Sequence, residues 1–358
     1  MWPDNRILDL FRIEVPILQA PMAGSTFADM AVAVSEAGGL GSLPCALLSV
    51  EQARTELESI RRRTSRSVSV NFFCHTPPQV NRERENRWKD RLQGYYTELG
   101  IDPNQPITAA NRAPFDERMW DAVSEFHPEV VSFHFGLPDQ ELLGRVKRTG
   151  AKIVSSATIV DEARWLEDHG CDAIIAQGYE AGGHRGMFLT KDVSSQPGTM
   201  ALVPQVVDAV RVPVIASGGI SDGRGIAAAL ALGAAAVQLG TAYLFCPEAK
   251  ISPAYRQALQ KVGDHETVIT NVITGRPARG IATRLVRDLG PMSDDAPEFP
   301  LAASPLAPLR SKSESSGSGD FSPLWAGQAV RLAREMPAGQ LTKRLAAETQ
   351  ERLRRLAG

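Results

Sequence analysis

A histidine stands in a glycine-rich stretch of this sequence, where it could do acid–base chemistry. His184 lies within residues 180–186 (EAGGHRG), which directly follow a short apolar run. The two glycines before it allow a sharp turn that leaves the ring accessible, and an imidazole exchanges a proton near neutral pH. A lone histidine is more often a structural hydrogen-bonding group. The motifs beside His184 favour the catalytic interpretation, because they predict a ligand site.

Two further glycine motifs predict where a phosphate would bind. Residues 217–219 (SGG) and residues 238–241 (QLGT) each end an apolar run, and an alanine-rich stretch separates them. Gly218 and Gly219 carry no side chain, so their backbone N–H groups can approach an anion closely. The second motif adds another glycine and a hydroxyl donor. Either motif alone fits an ordinary tight turn, whereas the pair predicts a phosphate site.

Two amide side chains stand near these motifs. Asn71 and Gln177 each lie at the end of an apolar run. An amide both donates and accepts hydrogen bonds, and therefore suits a planar heterocycle with alternating donors and acceptors, such as a flavin ring. The alternative is that each amide only ties down a neighbouring loop.

Metal and thiol chemistry are less well supported. His75, His134 and His184 all lie near strand ends, and three histidines can hold a catalytic zinc. No cluster of carboxylates stands beside them, and the first predicted strand ends in APMAG rather than an HxH pair. Cys45 and Cys74 are interpreted as packing residues. We therefore predict no metal site.

The elements that must position these residues alternate between buried strands and amphipathic helices. Apolar runs rich in Val, Ile and Leu, each followed by helical periodicity, are typical of parallel strands joined by crossover helices. Several of the predicted helices stop at a glycine, as in RTG (148–150) and ALG (231–233), which predicts left-handed caps there. The predicted strands are residues 16–22, 39–44, 67–73, 130–136, 152–157, 173–178, 212–217 and 235–240. Eight such strands close a TIM (β/α)8 barrel, in which ligands bind at the carboxyl ends of the strands, where the motifs above stand.

Parts of the chain depart from this alternation. Residues 76–115 are polar and charge-dense, and we expect an excursion there between the third and fourth strands. Residues 250–322, after strand eight, also depart from it and end in the flexible, low-complexity SKSESSGSGD. The barrel is then expected in residues 1–249, and a helical segment in residues 323–358 is expected to return to it.

The composition excludes several classes of protein. The 358 residues include 39 Lys+Arg and 41 Asp+Glu, and this net charge of −2 argues against a nucleic-acid partner. Residues 225–247 form an uncharged stretch long enough to span a membrane, but glycines and polar residues interrupt it, and we interpret it as a helix followed by a buried strand. The N-terminus lacks the apolar region of a secretory signal, and the four cysteines are widely spaced. We expect a cytoplasmic protein, with no membrane segment and with reduced thiols, whose oligomeric state stays open.

Taken together, the motifs resemble the nitronate monooxygenases, formerly called 2-nitropropane dioxygenases. The match comprises APMAG (20–24), VNFFCH (70–75), FHFG (133–136), QGYEAGGHRG (177–186), VIASGGI (214–220), VQLGTAYL (237–244), ITGRPARGI (273–281) and FSPLWAGQ (321–328). The central motifs are shared with flavin-dependent enoyl-acyl-carrier-protein reductases. NFFCH, FHFG and PLWAGQ point more narrowly to the class I nitronate monooxygenases.

The resemblance implies a TIM barrel with a non-covalent FMN and a smaller capping domain, inserted after strand eight at residues 250–322. It also gives roles to individual residues. His184 would be the active-site histidine, His134 would be a second polar group on the substrate side, and residues 325–328 would close over the flavin. Contacts with FMN would come from Met22, Asn71, Gln177, Gly182, Gly218, Gly219, Gln238, Leu239, Gly240 and Thr241.

The resemblance also implies a reaction. An alkyl nitronate, such as propionate 3-nitronate, would be oxidised by dioxygen to a carbonyl compound and nitrite, through a flavin semiquinone. His184 would hold the anionic nitronate by a charge-assisted hydrogen bond, or act as a base towards a neutral nitroalkane. The alternatives are an NADH-dependent flavin enoyl-acyl-carrier-protein reductase, a phosphate-binding barrel lyase or isomerase, and a non-catalytic flavin-binding module.

Overall fold

The computed structural model describes residues 2–106 and 112–358. In this part of the chain the strands are β1 (Ile17–Gln19), β2 (Gly41–Pro44), β3 (Val68–Phe73), β4 (Val130–His134), β5 (Lys152–Ala157), β6 (Ala173–Gln177), β7 (Gly183–His184), β8 (Val214–Ser217), β9 (Ala236–Leu239), β10 (Thr267–Thr270) and β11 (Ala278–Ile281). The α-helices are α1 (Arg6–Phe11), α2 (Ala28–Glu36), α3 (Val50–Arg63), α4 (Arg82–Glu98), α5 (Glu117–Ser124), α6 (Gln140–Arg148), α7 (Val160–Asp168), α8 (Thr199–Ala209), α9 (Gly223–Ala231), α10 (Thr241–Leu244), α11 (Pro253–Lys261), α12 (Arg284–Leu289), α13 (Ala307–Ser315) and α14 (Ala338–Leu356). Leu301–Leu306 and Val330–Leu332 are 3-10 helices.

The parallel strands form a TIM barrel. Their order around the sheet is β1-β9-β8-β6-β5-β4-β3-β2. A parallel bridge between Leu18 and Leu40 joins the two edges, where Gln19 donates its backbone N–H to the carbonyl of Leu40 at 2.9 Å. The strands are apolar because helices cover the outside of the barrel and side chains fill its inside.

The predicted strands and helix ends are confirmed in this fold. Each predicted run contains a barrel strand, although the first is short: β1 ends at Gln19, and residues 20–22 leave the sheet. The predicted stops Gly150 and Gly233 have φ angles of 84° and 94°, which favour glycine. The uncharged stretch at 225–247 contains most of α9 and all of β9, as predicted.

One end of the barrel is plugged, and this decides where a ligand can enter. Ile7 and Phe11 of α1 are fully buried against barrel residues near the strand starts, such as Val154 and Ile215. Burying each of these side chains contributes about 2 kcal/mol. The opposite end, where the strands terminate, is left for a ligand.

The excursion and the cap share one hydrophobic core. Here the excursion is residues 76–115 and the cap is residues 250–322. Trp88 and Leu92 of α4 pack in the same cluster as Val272, Leu285 and other cap residues. The indole Nε1 of Trp88 donates to the carbonyl of Ala302 at 3.1 Å. In the cap, β10 and β11 form an antiparallel sheet with β7, which belongs to the loop after β6.

The structure differs from the sequence prediction at the end of the cap. The serine-rich stretch, predicted to be flexible, includes most of α13. Ser313 is buried, and its hydroxyl donates to the carbonyl of Ser318 at 3.0 Å. Serine favours turns because its hydroxyl bonds to nearby backbone groups. Here that bond lies at the C-terminal end of α13 and stabilises the helix end. Among the described residues, no helix has both the length and the apolar character needed to cross a membrane.

Candidate active site

A cavity of about 270 Å³ lies at the carboxyl ends of the barrel strands. Its walls come from residues of the barrel strands, from the loops after β1, β3, β6, β8 and β9, and from the cap and the segment that follows it. The predicted residues that line it are Met22, Asn71, His134, Gln177, Gly182, His184, Gly218, Gly219, Gln238, Gly240 and Thr241. Leu239 is an exception: its side chain is 1% exposed and packs in the hydrophobic core, because successive residues of a strand face opposite sides.

The two glycines of the first phosphate motif fill positions where a side chain would be strained. Gly218 has a φ of 117°, and a Cβ there would stand 2.9 Å from the hydroxyl oxygen of Thr199 and 3.0 Å from the backbone nitrogen of Ala181. Gly219 has a φ of 68°. The backbone is therefore bare at this end of the cavity, which suits the close approach of an anion.

The C-terminal segment closes this end of the cavity. The backbone N–H of Gly327 donates to the hydroxyl of Thr241 at 2.9 Å, and the N–H of Gln328 donates to the carbonyl of Glu180 at 3.0 Å. A Cβ on Gly182 would meet the backbone nitrogen of Gly327 at 2.6 Å. Because Thr241 accepts a bond from Gly327, its own hydroxyl proton stays available to a ligand.

The two predicted amides hydrogen-bond to other parts of the protein as well as line the cavity: Asn71 bonds the neighbouring strand, and Gln177 bonds a loop. Nδ2 of Asn71 donates to Oγ of Ser132 at 2.9 Å. Nε2 of Gln177 donates to the carbonyl of His184 at 3.0 Å, and its Oε1 accepts the backbone N–H of Gly186 at 2.7 Å. Gln177 therefore fixes the loop that carries His184, which is the alternative that the sequence left open.

His184 lies in β7, where it contacts Thr274 of the cap and several aromatic rings. Its Nε2 lies 2.9 Å from the hydroxyl of Thr274, which in turn donates to the carbonyl of Arg276 at 3.3 Å. Since Thr274 uses its proton on that carbonyl, it accepts one from Nε2–H of His184, and Nδ1 is left unprotonated. Burial lowers the pKa of His184 well below its ordinary value, and the positive charge of Arg112 lowers it further. The imidazole is therefore neutral at physiological pH.

Aromatic side chains surround this imidazole. The ring centroids of Phe299 and Trp325 lie 5.3 Å and 5.4 Å from that of His184. Phe73 and Phe135 lie at 6.2 Å and 6.0 Å. This packing covers much of the half-buried ring and explains the desolvation of the histidine.

His134 lines the cavity but has both ring nitrogens engaged. Its Nδ1 lies 3.2 Å from the hydroxyl of Ser156, and its Nε2 lies 3.1 Å from the carbonyl of His184. Because the carbonyl needs a donor, Nε2 carries the proton and Nδ1 accepts from Ser156. Burial lowers the pKa of His134 to about 3. The geometry thus makes His134 a support for the histidine loop rather than a free polar group.

Arg185 holds the same loop from behind. Its guanidinium is fully buried and donates to the carbonyls of Gly178 and Gly183, each at 3.0 Å, and to that of Ala181. Burial lowers its pKa to about 9, so the group stays charged near neutral pH. A single side chain thereby satisfies several carbonyls that the sharp loop turns inward.

Several residues of the site were missed by the sequence interpretation. Thr274, Arg276 and Phe299 come from the cap, and Arg112 comes from the end of the excursion. The motif ITGRPARGI contains two of them, but no strand-end pattern distinguishes them as site residues. Within the described residues, no three His, Cys, Asp or Glu side chains converge as a metal site would require.

The buried histidines predict that the free energy of unfolding falls as the pH is lowered. Burial lowers the pKa of His75 to about 4 and that of His134 to about 3, whereas an unfolded imidazole titrates near pH 6.5. Below pH 6.5 the unfolded chain therefore binds more protons, and stability falls as the pH falls. We expect each such histidine to remove about 2 kcal/mol of unfolding free energy between pH 7 and pH 5.

Urea unfolding at both pH values measures this effect. The variant His134→Asn should reduce the loss between pH 7 and pH 5 by about 2 kcal/mol. The exposed His265 provides the control, because His265→Asn removes an imidazole that pairs with Asp264 on the surface. An identical pH dependence in wild type and His134→Asn would contradict the neutral, buried state of His134.

Comparisons with protein families, known sequences and solved structures each match nearly the whole chain. A model of the nitronate monooxygenase family matches residues 4–348. A nitronate monooxygenase of Pseudomonas aeruginosa is 39% identical, over 96% of this chain and 99% of that protein. The crystal structure of a nitroalkane oxidase from Streptomyces ansochromogenes has a TM-score of 0.87 and 37% identity, over 98% of this chain and 99% of that one. FabK from Thermotoga maritima has a TM-score of 0.74 and 29% identity, over 99% and 98%.

Proposed function

The chain belongs to the nitronate monooxygenase family, and we propose that it uses FMN and dioxygen to oxidise small alkyl nitronates to a carbonyl compound and nitrite. One observation carries this proposal: a single cavity joins a bare glycine backbone to a neutral, desolvated histidine. Propionate 3-nitronate is a candidate substrate. We also expect the enzyme to act in the cytoplasm.

The residues present fit a flavin mononucleotide. Gly218, Gly219, Gly240 and the hydroxyl of Thr241 would hold the phosphate, because no side chain blocks the approach there. Met22, Asn71, Gln177, Gly182 and Gln238 would contact the rest of the cofactor. When bound, the flavin supplies the redox chemistry, since its ring accepts electrons from a substrate and passes them to dioxygen.

His184 would contribute acid–base chemistry and orientation. Its neutral state does not favour a charge-assisted bond from an imidazolium to the nitronate. A base role fits instead, because the unprotonated Nδ1 can accept the α-proton of a neutral nitroalkane. Nε2–H keeps the ring in place through Thr274. The surrounding aromatic rings would exclude water from the reacting atoms.

The first test is the visible spectrum of the purified protein. We expect a yellow protein, whose extracted cofactor migrates as FMN rather than FAD in chromatography. Under anaerobic conditions propionate 3-nitronate should bleach it. Bleaching by NADH instead would support the enoyl reductase alternative, and a colourless protein that binds no added FMN would contradict both flavin functions.

Gly218→Ala is expected to lower flavin occupancy at least tenfold. The new Cβ would clash with Thr199 and Ala181 at a φ of 117°, which forces the phosphate loop to move. The ratio of flavin to protein absorbance and the dissociation constant for added FMN measure the effect. Gly94→Ala is the control, because nothing lies within 4 Å of a Cβ at that helical position. Full occupancy in Gly218→Ala would refute the proposed phosphate site.

A further inference from the structure

Positive and negative charges on the residues that line the cavity are not equal in number. Among the described residues, the charged ones are Arg112, Lys250, Arg310 and Glu314. Arg310 pairs with Glu314 at 2.9 Å, and Lys250 pairs with Asp29 at 3.4 Å. Arg112 has no acidic partner within the described ranges 2–106 and 112–358. Within these ranges, the cavity wall therefore carries one uncompensated cation.

The guanidinium of Arg112 is also short of hydrogen bonds. Its Nη1 is buried, and among the residues that the structure describes it has no acceptor. A buried, unpaired charged donor costs free energy in the absence of a ligand. Burial and the nearby Arg310 lower the pKa of Arg112 to about 10, which still leaves it positively charged at neutral pH.

Arg112 and His184 flank the same ring. The guanidinium carbon of Arg112 lies 5.6 Å from the ring centroid of Phe299, and the imidazole centroid of His184 lies 5.3 Å from it. Both residues line the cavity. A small molecule in this part of the cavity can therefore meet the positive charge of Arg112 and the neutral imidazole at once.

We propose that Arg112 is the substrate-binding residue that pairs with the anionic nitronate group. This inference rests on the proposed function. A nitronate group is planar with two oxygens, and the guanidinium fork offers parallel N–H donors to such an anion. His184 is neutral and cannot balance the substrate's charge, so the charge must be met by another group. Of the three cations that line the cavity in the described part of the chain, Arg112 can supply it, because Arg310 and Lys250 are already paired.

The test compares two ligands that differ by one proton. For Arg112→Gln we expect the KM of ethylnitronate to rise about 10- to 100-fold, as the loss of a hydrogen bond to a charged group predicts. The dissociation constant of neutral nitroethane should change less than twofold. Arg112→Lys should lie between wild type and Arg112→Gln, and added guanidinium should partly restore Arg112→Gln. Arg145→Gln removes an exposed arginine, paired with Asp121, and serves as the control.

Two further measurements separate the possible failures. If Arg112 instead binds the carboxylate of propionate 3-nitronate, only that substrate will lose affinity, and an unchanged KM for ethylnitronate overturns the inference. If wild type turns over no nitronate, the proposed function fails by itself, and calorimetric binding of nitrite, a planar anion with two oxygens, still tests Arg112. Nitrite should bind wild type and bind Arg112→Gln at least tenfold more weakly; equal binding to both, or none to wild type, overturns the inference.

Thermal unfolding without ligand distinguishes binding from a structural role. Arg112→Gln removes a buried charge that has no acidic partner among the described residues, so its Tm should equal or exceed that of wild type. A Tm well below wild type, together with equal losses for ethylnitronate and nitroethane, would make Arg112 a structural residue and overturn the inference.

Discussion

His184→Asn is expected to lower kcat for a neutral nitroalkane by about 100-fold or more, the usual contribution of a positioned general base. Asn offers no basic nitrogen to take the α-proton. The wild-type imidazole is neutral, and Thr274 bonds its Nε2 rather than its Nδ1. With a preformed nitronate the loss should be smaller, because no proton has to be removed. The ratio of the two losses therefore measures the base role directly.

Steady-state oxygen consumption with nitroethane and with ethylnitronate gives both numbers. Flavin content must be measured alongside, and it should stay at the wild-type level because the phosphate motifs are untouched. His265→Asn, an exposed histidine, should leave both rates unchanged. Equal losses for the two substrates would contradict a base role for His184, and unchanged rates would remove it from the mechanism.

Arg185→Met is expected to lower the unfolding free energy by about 3 kcal/mol, and to reduce flavin binding and turnover with it. Methionine fills much of the same volume but leaves the carbonyls of Gly178, Ala181 and Gly183 buried without a donor. Each unsatisfied buried group costs about 1–3 kcal/mol, less what relaxation recovers. The loop that they belong to carries His184, so its distortion reaches the site.

Urea unfolding of the flavin-bound protein tests this expectation. Arg185→Lys should recover only part of the loss, because one ammonium cannot span carbonyls that a planar fork reaches together. Arg54→Met provides the control, since Arg54 is exposed and pairs with Glu125 at the surface. Wild-type stability in Arg185→Met would mean that the loop carbonyls find other donors.

The opposite expectations for Arg185 and Arg112 illustrate how burial alone does not define a role. Both guanidiniums are largely removed from water and both lack a carboxylate among the described residues. Both Nη atoms of Arg185 donate to loop carbonyls, although its Nε has no acceptor among the described residues, so its removal should destabilise the fold. Arg112 has a buried Nη1 without an acceptor in the described part of the chain, so its removal should weaken ligand binding. Hydrogen-bond partners separate the two, and these come from the tertiary structure.

Features that depend only on residues adjacent in the sequence could be predicted from it. The barrel strands follow from apolar runs that are buried on both faces, and the helix ends follow from glycines that tolerate a positive φ. The same local reasoning identifies Gly218 and Gly219, because the motif SGG at a strand end needs bare backbone. Leu239 was predicted to contact FMN because it belongs to the motif QLGT. Successive residues of a strand face opposite sides, however, and the side chain of Leu239 lies in the core.

The roles of the three strand-end histidines could not be separated in this way. His75, His134 and His184 have similar positions in the sequence pattern, yet His75 does not line the cavity and His134 has both nitrogens bound. His184 keeps one nitrogen free because Thr274, 90 residues further along the chain, takes the other. Its neutral state likewise depends on Phe299, Trp325 and Arg112, which come from distant segments.

The sequence by itself thus determined the barrel, the end of it where the cavity lies and the glycine motifs, since periodicity and backbone freedom are properties of short stretches. The tertiary structure alone decided which histidine has a ring nitrogen without a partner among the described residues, that its ring is uncharged, and that Arg112 has no acidic partner among those residues. Proton affinity and charge balance are set by desolvation and by the groups within a few ångströms. Those groups are brought together only when the barrel, the excursion and the cap meet.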